Sequence, residues 1–217
     1  MQDERFNRAK LLFADKYEKL CEKKILVCGL GGVGGACFSS LARVGIKVYG
    51  IDCDSFEASN QNRQLHSENI GRKKAEVFSE FYKLPCFDFC INKESLKDFL
   101  EKYHFDYVID CIDDLYAKCD IAELCYEKNI KLISSAGAAK RIDVSKIKLS
   151  NWDKTRVCAL AKAFRLELKK RRFKGKFKVL FSEEEAMCKE LGSFMGVTST
   201  FGNTLSSIVL KELLKES

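Results

Sequence analysis

Gly29-Leu30-Gly31-Gly32-Val33-Gly34 sets four glycines at the spacing G-x-G-x-x-G. Glycine lets a backbone turn sharply and approach a phosphate with no side chain in between. Asp52 stands downstream, where an acid can hold ribose hydroxyls. A dense polar run follows, Asp52-Cys53-Asp54-Ser55-Phe56-Glu57-Ala58-Ser59-Asn60-Gln61-Asn62-Arg63-Gln64, and then Arg72, Lys73 and Lys74. A glycine turn with an acid behind it suits a nicotinamide dehydrogenase as well as an ATP enzyme. The Asn/Arg/Lys set suits the ATP enzyme better. Arg and Lys stabilise charge that develops on phosphate oxygens, and asparagine adds directed hydrogen bonds. Farther on, Asp110-Cys111-Ile112-Asp113-Asp114 places acids at the end of an apolar run. Asp113 there can ligate Mg²⁺ beside a phosphate or cap a helix.

These residues need elements to position them. Lys24 to Cys28 is a short apolar run that reads as a buried strand. The glycines follow it, then a helical pattern over 36–44, then a second strand candidate over 46–52. Strand, glycine turn, helix and strand make one βαβ unit, right-handed and parallel. A polar connection covers 53–72. Further strands are expected at 86–91, 107–111, 130–134, 141–150 and 177–182. Further helices are expected at 73–83, 94–102, 115–128, 156–172 and 196–214. The alternation predicts an α/β fold, a doubly wound Rossmann-like sheet that is mostly parallel. The expected organisation is one domain over 1–217. It divides into a helical arm (1–23), a nucleotide-binding core (24–135) and a substrate-facing extension ending in a helix (136–217).

Composition excludes several classes. With 46% hydrophobic and 32% charged residues, the chain has material for a core and reads as a globular protein. No apolar run is long enough to span a bilayer. The opening MQDERFNRAK lacks the apolar stretch of a signal peptide. A cytoplasmic protein without a membrane partner is expected. The eleven cysteines include no C-x-x-C pair, so a zinc site built from two such pairs is not expected. They read as reduced thiols acting as small hydrophobes. The net charge of +7 suits an anionic partner. Lys169, Lys170, Arg171, Arg172 and Lys174 form a basic tract that could contact RNA phosphates.

GLGGVGG, then DCDSFEASNQNRQ, then GRKKAE resembles the superfamily of ubiquitin-activating-type adenylyltransferases, which includes ThiF and MoeB. That superfamily carries GxGGxG, D-x-D, S-N-x-x-R-Q and a following lysine, in that order. The resemblance implies ATP contacts from Gly29, Gly31, Gly32 and Gly34 of the turn. It implies Asp52, with Asp54 near it, at the ribose. It assigns Asn60 and Arg63 to the phosphates, with Asn62 and Gln64 beside them, and brings Lys74 in from the next helix. Asp113 matches the family aspartate that holds Mg²⁺ beside the α-phosphate. Arg5-Phe6-Asn7-Arg8 matches an R-[FY]-x-R motif. Its second arginine, here Arg8, reaches the partner subunit's site in the family and implies a homodimer. Arg8, Arg63, Lys74 and Asp113 are the implied catalytic set, and ATP and Mg²⁺ the implied cofactors.

Within the superfamily, the chain looks most like the TcdA (CsdL-like) tRNA threonylcarbamoyladenosine dehydratase branch. The stretches that carry this are SSAGAAKRIDVSKIKLSNWDKT (134–155), VLFSEE (179–184) and GVTSTFGNTLSSIVLKEL (196–213). The chain is shorter than a typical member around 173–195. The branch implies a tRNA substrate. A sulfur-carrier activator of the ThiF/MoeB type, with a ubiquitin-like or sulfur-transfer partner, is the alternative. A nucleotide-binding protein without catalysis is the second alternative.

Overall fold

The computed structural model describes residues 4–215. The chain opens with two short helices, α1 (Asn7–Phe13) and α2 (Tyr17–Glu22), with a 3-10 turn before α1 and another between them. The βαβ unit follows as β1 (Lys24–Cys28), α3 (Gly32–Ala42) and β2 (Lys47–Ile51). Next come α4 (Lys74–Tyr82), β3 (Cys86–Phe87), α5 (Lys93–Lys102), β4 (Tyr107–Asp110), α6 (Leu115–Glu127) and β5 (Lys131–Ser135). The remainder is β6 (Ile147–Asn151), α7 (Ala159–Lys170), β7 (Lys178–Ser182) and α8 (Met195–Leu213).

The strands form one sheet in the order β3-β2-β1-β4-β5-β7-β6. Every pairing is parallel except β6 with β7. The direction of travel reverses between β1 and β4. Such a switch point opens a crevice at the carboxyl ends of the strands. Alternation along β1 splits the core in two, because successive side chains face opposite ways. Ile25 and Val27 join Phe38, Phe78 and Phe201 under α3, α4 and α8. Leu26 and Cys28 join Phe99, Leu124 and Phe164 under α5, α6 and α7.

Four expected elements are corrected. The helix after β1 starts at Gly32, inside the glycine motif, not at 36. The strand expected over 86–91 is only Cys86–Phe87, because the chain then turns away and Cys90 bonds to Cys53. The strand expected over 141–150 begins only at Ile147. Before it, Ile142 and Asp143 donate their N–H groups to the Glu184 carboxylate, and a 3-10 turn spans Val144–Lys146. The helix expected from 156 starts at Ala159, since Val157 has positive φ and breaks the helical path.

Two glycines fix the crevice end. Gly29 has φ +88°, a left-handed conformation that costs other residues strain. A Cβ on Gly34 would overlap the Gly29 carbonyl oxygen. A methyl there must push α3 off β1. Gly34→Ala is expected to destabilise the fold by about 3 kcal/mol or more. Urea unfolding of the two proteins checks this.

Candidate active site

The site is built where β1, β2 and β4 end. The Gly29 N–H donates to the Ile51 carbonyl at 2.8 Å, so the turn leaves β1 tied to β2. Helix α3 begins at once, with Gly31 as its N-cap and no side chain accepting from the first turn. Those N–H groups and the positive end of the helix dipole are suited to an anion.

Asp52 stands at the end of β2 and is buried. Its Oδ2 accepts from the Leu30 N–H at 2.6 Å, and its Oδ1 from the Asp54 N–H at 2.9 Å. One carboxylate therefore braces both the glycine turn and the next loop. Burial pushes its pKa above the usual aspartate range, against the pull of Lys74 and of the two backbone N–H groups. Lys74 opens α4 and is buried too. Its ammonium lies 2.8 Å from Asp54 and 3.9 Å from Asp52.

The polar run forms a compact lobe on the turn. Asn60 ends a 3-10 turn, and its side chain accepts from the Glu57 N–H at 3.1 Å. Arg63 donates to the Ser59 carbonyl at 2.8 Å and to Asn62 Oδ1 at 2.9 Å. Asn62 donates to the Ser193 carbonyl at 3.0 Å and so joins this lobe to the loop before α8. A Cβ on Gly31 would meet Gln64, and one on Gly32 would meet the Arg63 carbonyl and Thr198. Gln64 Oε1 is the buried side-chain oxygen or nitrogen left without a hydrogen-bond partner among the described residues. An orphaned acceptor against a glycine turn fits a site shaped for a ligand.

Asp113 follows β4 and is exposed. The helix cap belongs to its neighbour: Asp114 accepts from the Ala117 N–H at 2.7 Å. The capping alternative for Asp113 is thereby removed. Asp113 lies at the same end of the sheet as Gly29 and Asp52, because β1, β2 and β4 run parallel.

Two groups of predicted residues lie elsewhere. Arg8 is exposed on α1. The 3-10 turn and α2 beside α1 anchor at the far ends of α8 and α3: Lys16 donates to the Leu214 carbonyl, which caps α8, and Tyr17 to the Val44 carbonyl just past α3. The arm therefore meets the end of α3 opposite the glycine turn of its own chain. The basic tract runs from the last turn of α7 toward β7, which is parallel to β5. It thus occupies the amino end of the strands, across the sheet from the crevice. Arg171 is held there by Asp120 at 2.7 Å and by Glu123 and Glu167 at 3.3 Å each. Lys169, Arg172 and Lys174 are exposed.

Buried charged groups that were not expected as site residues stand at and past the ends of β4 and β5. Asp110 and Lys118 are fully buried and paired at 2.7 Å. Arg141 is buried in the loop after β5 and donates to the Gly137, Ala139 and Glu184 carbonyls. An acid closing an apolar strand, with a lysine on an apolar helix face eight residues on, was the available signal for the first pair.

A ThiF family model matches residues 5–216. The chain belongs to the ThiF family. Among its ThiF-type relatives, the tRNA threonylcarbamoyladenosine dehydratase of Bacillus subtilis is 31% identical, over 81% of this chain and 75% of its own. That of Haemophilus influenzae is 31% identical, over 95% of this chain and 92% of its own. The crystal structure of the Escherichia coli tRNA N6-threonylcarbamoyladenosine dehydratase in complex with ATP is similar with a TM-score of 0.92. It is 30% identical, over 98% of this chain and 95% of its own.

The disulfide corrects the expectation that all cysteines are thiols. Cys53, between Asp52 and Asp54, is bonded to Cys90, while Cys28, Cys37, Cys119, Cys125 and Cys158 are buried and free. The bond closes a loop with a sequence separation of 37. Its reduction is expected to cost about 2–4 kcal/mol of stability. Thermal melts with and without reductant check this, and Cys53→Ser with Cys90→Ser should melt at the reduced value under both conditions.

Proposed function

We propose that this chain is an ATP-dependent dehydratase that adenylates the carboxylate of threonylcarbamoyladenosine in tRNA and drives its cyclisation. The observation that carries the reading is the convergence of Gly29, Asp52, Asn60, Arg63 and Asp113 at one end of the sheet. Likeness to the dehydratases over nearly the whole chain supports the choice of substrate. A cytoplasmic homodimer is part of the reading. No helix among the described residues is long and apolar enough to cross a membrane.

ATP lies with its phosphates over the α3 N-terminus and its ribose against Asp52 and Asp54. Asn60, Asn62, Arg63, Gln64 and Lys74 surround it, and the orphaned Gln64 Oε1 accepts from it. Lys74 is held by two acids before ATP arrives, so its ammonium needs no reorganisation at the moment of reaction. Asp113 holds Mg²⁺. The described residues contain no cluster of three carboxylate, histidine or cysteine ligands. A single carboxylate suits Mg²⁺, which takes one or two such groups and completes its shell with phosphates and water. Mg²⁺ when bound neutralises charge at the α-phosphate.

The threonyl carboxylate attacks the α-phosphorus, and pyrophosphate leaves. A nitrogen of the same side chain then attacks the acyl carbon, AMP leaves with the carboxylate oxygen, and the ring closes. The net loss from the nucleoside is one water. The chain's part is positioning and charge stabilisation. No cysteine nucleophile is required.

Arg8 completes the site of a second copy. Its distance from its own crevice supports this, and so does the arm's apolar face: Leu11 is 82% and Leu12 75% exposed. Lys169, Lys170, Arg172 and Lys174 contact tRNA phosphates remote from the modified base, and Arg171 braces them.

Incubation with ATP, Mg²⁺ and tRNA carrying threonylcarbamoyladenosine should yield AMP and a nucleoside lighter by one water. No loss, together with adenylation of a small protein with a diglycine tail, would favour the sulfur-carrier reading instead. Arg63→Ala and Asp113→Ala should each lower the rate by roughly 100-fold. Mixing Arg8→Ala with Asp113→Ala chains should restore activity through the one intact site of the heterodimer. ATP affinity should fall on acidification from a pH above the usual aspartate range, as Asp52 gains its proton. Titration calorimetry across pH checks this, and Asp52→Asn should flatten the profile.

A further inference from the structure

The ammonium of Lys118 is fully buried, and each of its three N–H bonds has an acceptor. It lies 2.7 Å from Asp110 Oδ2, 3.0 Å from the Ile112 carbonyl and 2.8 Å from the Ser135 carbonyl. The face of Phe164 covers it, with the ring centroid at 5.4 Å. A lysine has three donors and no acceptor. Lys118 therefore has nothing left to offer a substrate, and its work is on its own chain.

That work concerns the loop 111–114. The Cys111 N–H donates to the Cys28 carbonyl at 2.8 Å. The Ile112 N–H donates to Asp110 Oδ1 at 3.2 Å, and its carbonyl accepts from Lys118. Asp114 caps α6, and its carbonyl accepts from the backbone N–H of Lys118 at 3.0 Å. Both neighbours of Asp113 are thus fixed by hydrogen bonds, and Asp113 between them is exposed. Ser134 Oγ donates to the second oxygen of Asp110 at 2.5 Å, so the anchor itself is held by β5. The loop also abuts the glycine turn: a Cβ on Gly29 would meet Ile112 Cγ2 at 3.0 Å and the Cys111 carbonyl oxygen at 3.1 Å. A loop that slid inward would strike the turn.

We propose that Lys118 is a positioning residue for Asp113. Its buried ammonium fixes the Ile112 carbonyl against β4 and β5, and so holds the Asp113 carboxylate where the metal of a metal–nucleotide complex sits. The inference rests on the reading of Asp113 as the Mg²⁺ ligand.

The test separates positioning from charge balance. Lys118→Met alone leaves Asp110 buried without its partner, which destabilises strongly. The variant Asp110→Asn with Lys118→Met removes both charges while the Ile112 and Ser135 carbonyls still lose their donor. ATP affinity is measured by titration calorimetry with and without Mg²⁺ in wild type, Asp113→Ala and the double variant, with melting temperature recorded for each. In the wild type, Mg²⁺ should tighten ATP binding by about 5- to 100-fold. In the double variant, the metal-free affinity should stay within about twofold of wild type, while the tightening by Mg²⁺ falls at least about fivefold, as in Asp113→Ala. Full tightening in a folded double variant, beside lost tightening in Asp113→Ala, overturns the role of Lys118 alone. A fall in metal-free affinity equal to the fall with Mg²⁺ overturns it as well, since Lys118 would then support the whole pocket. Full tightening in Asp113→Ala overturns the metal reading itself and this inference with it.

Discussion

The crevice depends on one steric constraint: nothing stands between Gly34 and the Gly29 carbonyl. Because that space is empty of side chain, α3 starts against the end of β1 with its first N–H groups facing the crevice. The rest is arranged around that junction. Asp52 reaches across from β2 to the Leu30 N–H. The loop after β4 presses its Cys111 carbonyl and Ile112 side chain toward Gly29. The Asn60–Gln64 lobe closes over Gly31 and Gly32. A single side chain at position 34 would separate these contacts together, since they share one support.

Electrostatics in the crevice follow from burial. Asp52 and Lys74 are both largely out of water, as are Asp110 and Lys118. Buried charges persist only where partners and hydrogen bonds compensate the loss of hydration. Each pair here has that compensation, and each lies beside a loop that carries site residues. Asp113 is exposed and Arg63 half-buried, while the buried groups fix the backbone beside them.

Much of this was legible in the sequence. Periodicity located β1, β2, β4, β5, β7 and α8 closely, because buried strands and long helices leave contiguous apolar signals. The glycine turn, Asp52 and the Asn60–Arg63 run were readable as a candidate site because they lie close in the chain as well as in space. What was not legible depends on distance in the chain. The pairing of Cys53 with Cys90 needs β3 to lie beside β2. The Lys118 tripod needs acceptors from β4, the next loop and β5. The placement of the basic tract away from the crevice needs the direction of β7. The short β3 and the late start of β6 were missed for the same reason, since a disulfide and the Glu184 carboxylate override local propensity there.

Helix α8 packs so closely on α3 that a Cβ on Gly202 would overlap the Val33 carbonyl oxygen. Its Phe201, Leu205 and Val209 complete the core under β1. During synthesis, the phosphate turn and α3 emerge early, whereas the helix that covers them emerges only after residue 195. Until then the face of α3 that α8 covers stays open to water. The packing behind the turn is therefore completed late in translation. A nascent chain that stops before α8 carries the whole glycine motif without the Thr198 contact behind Gly32.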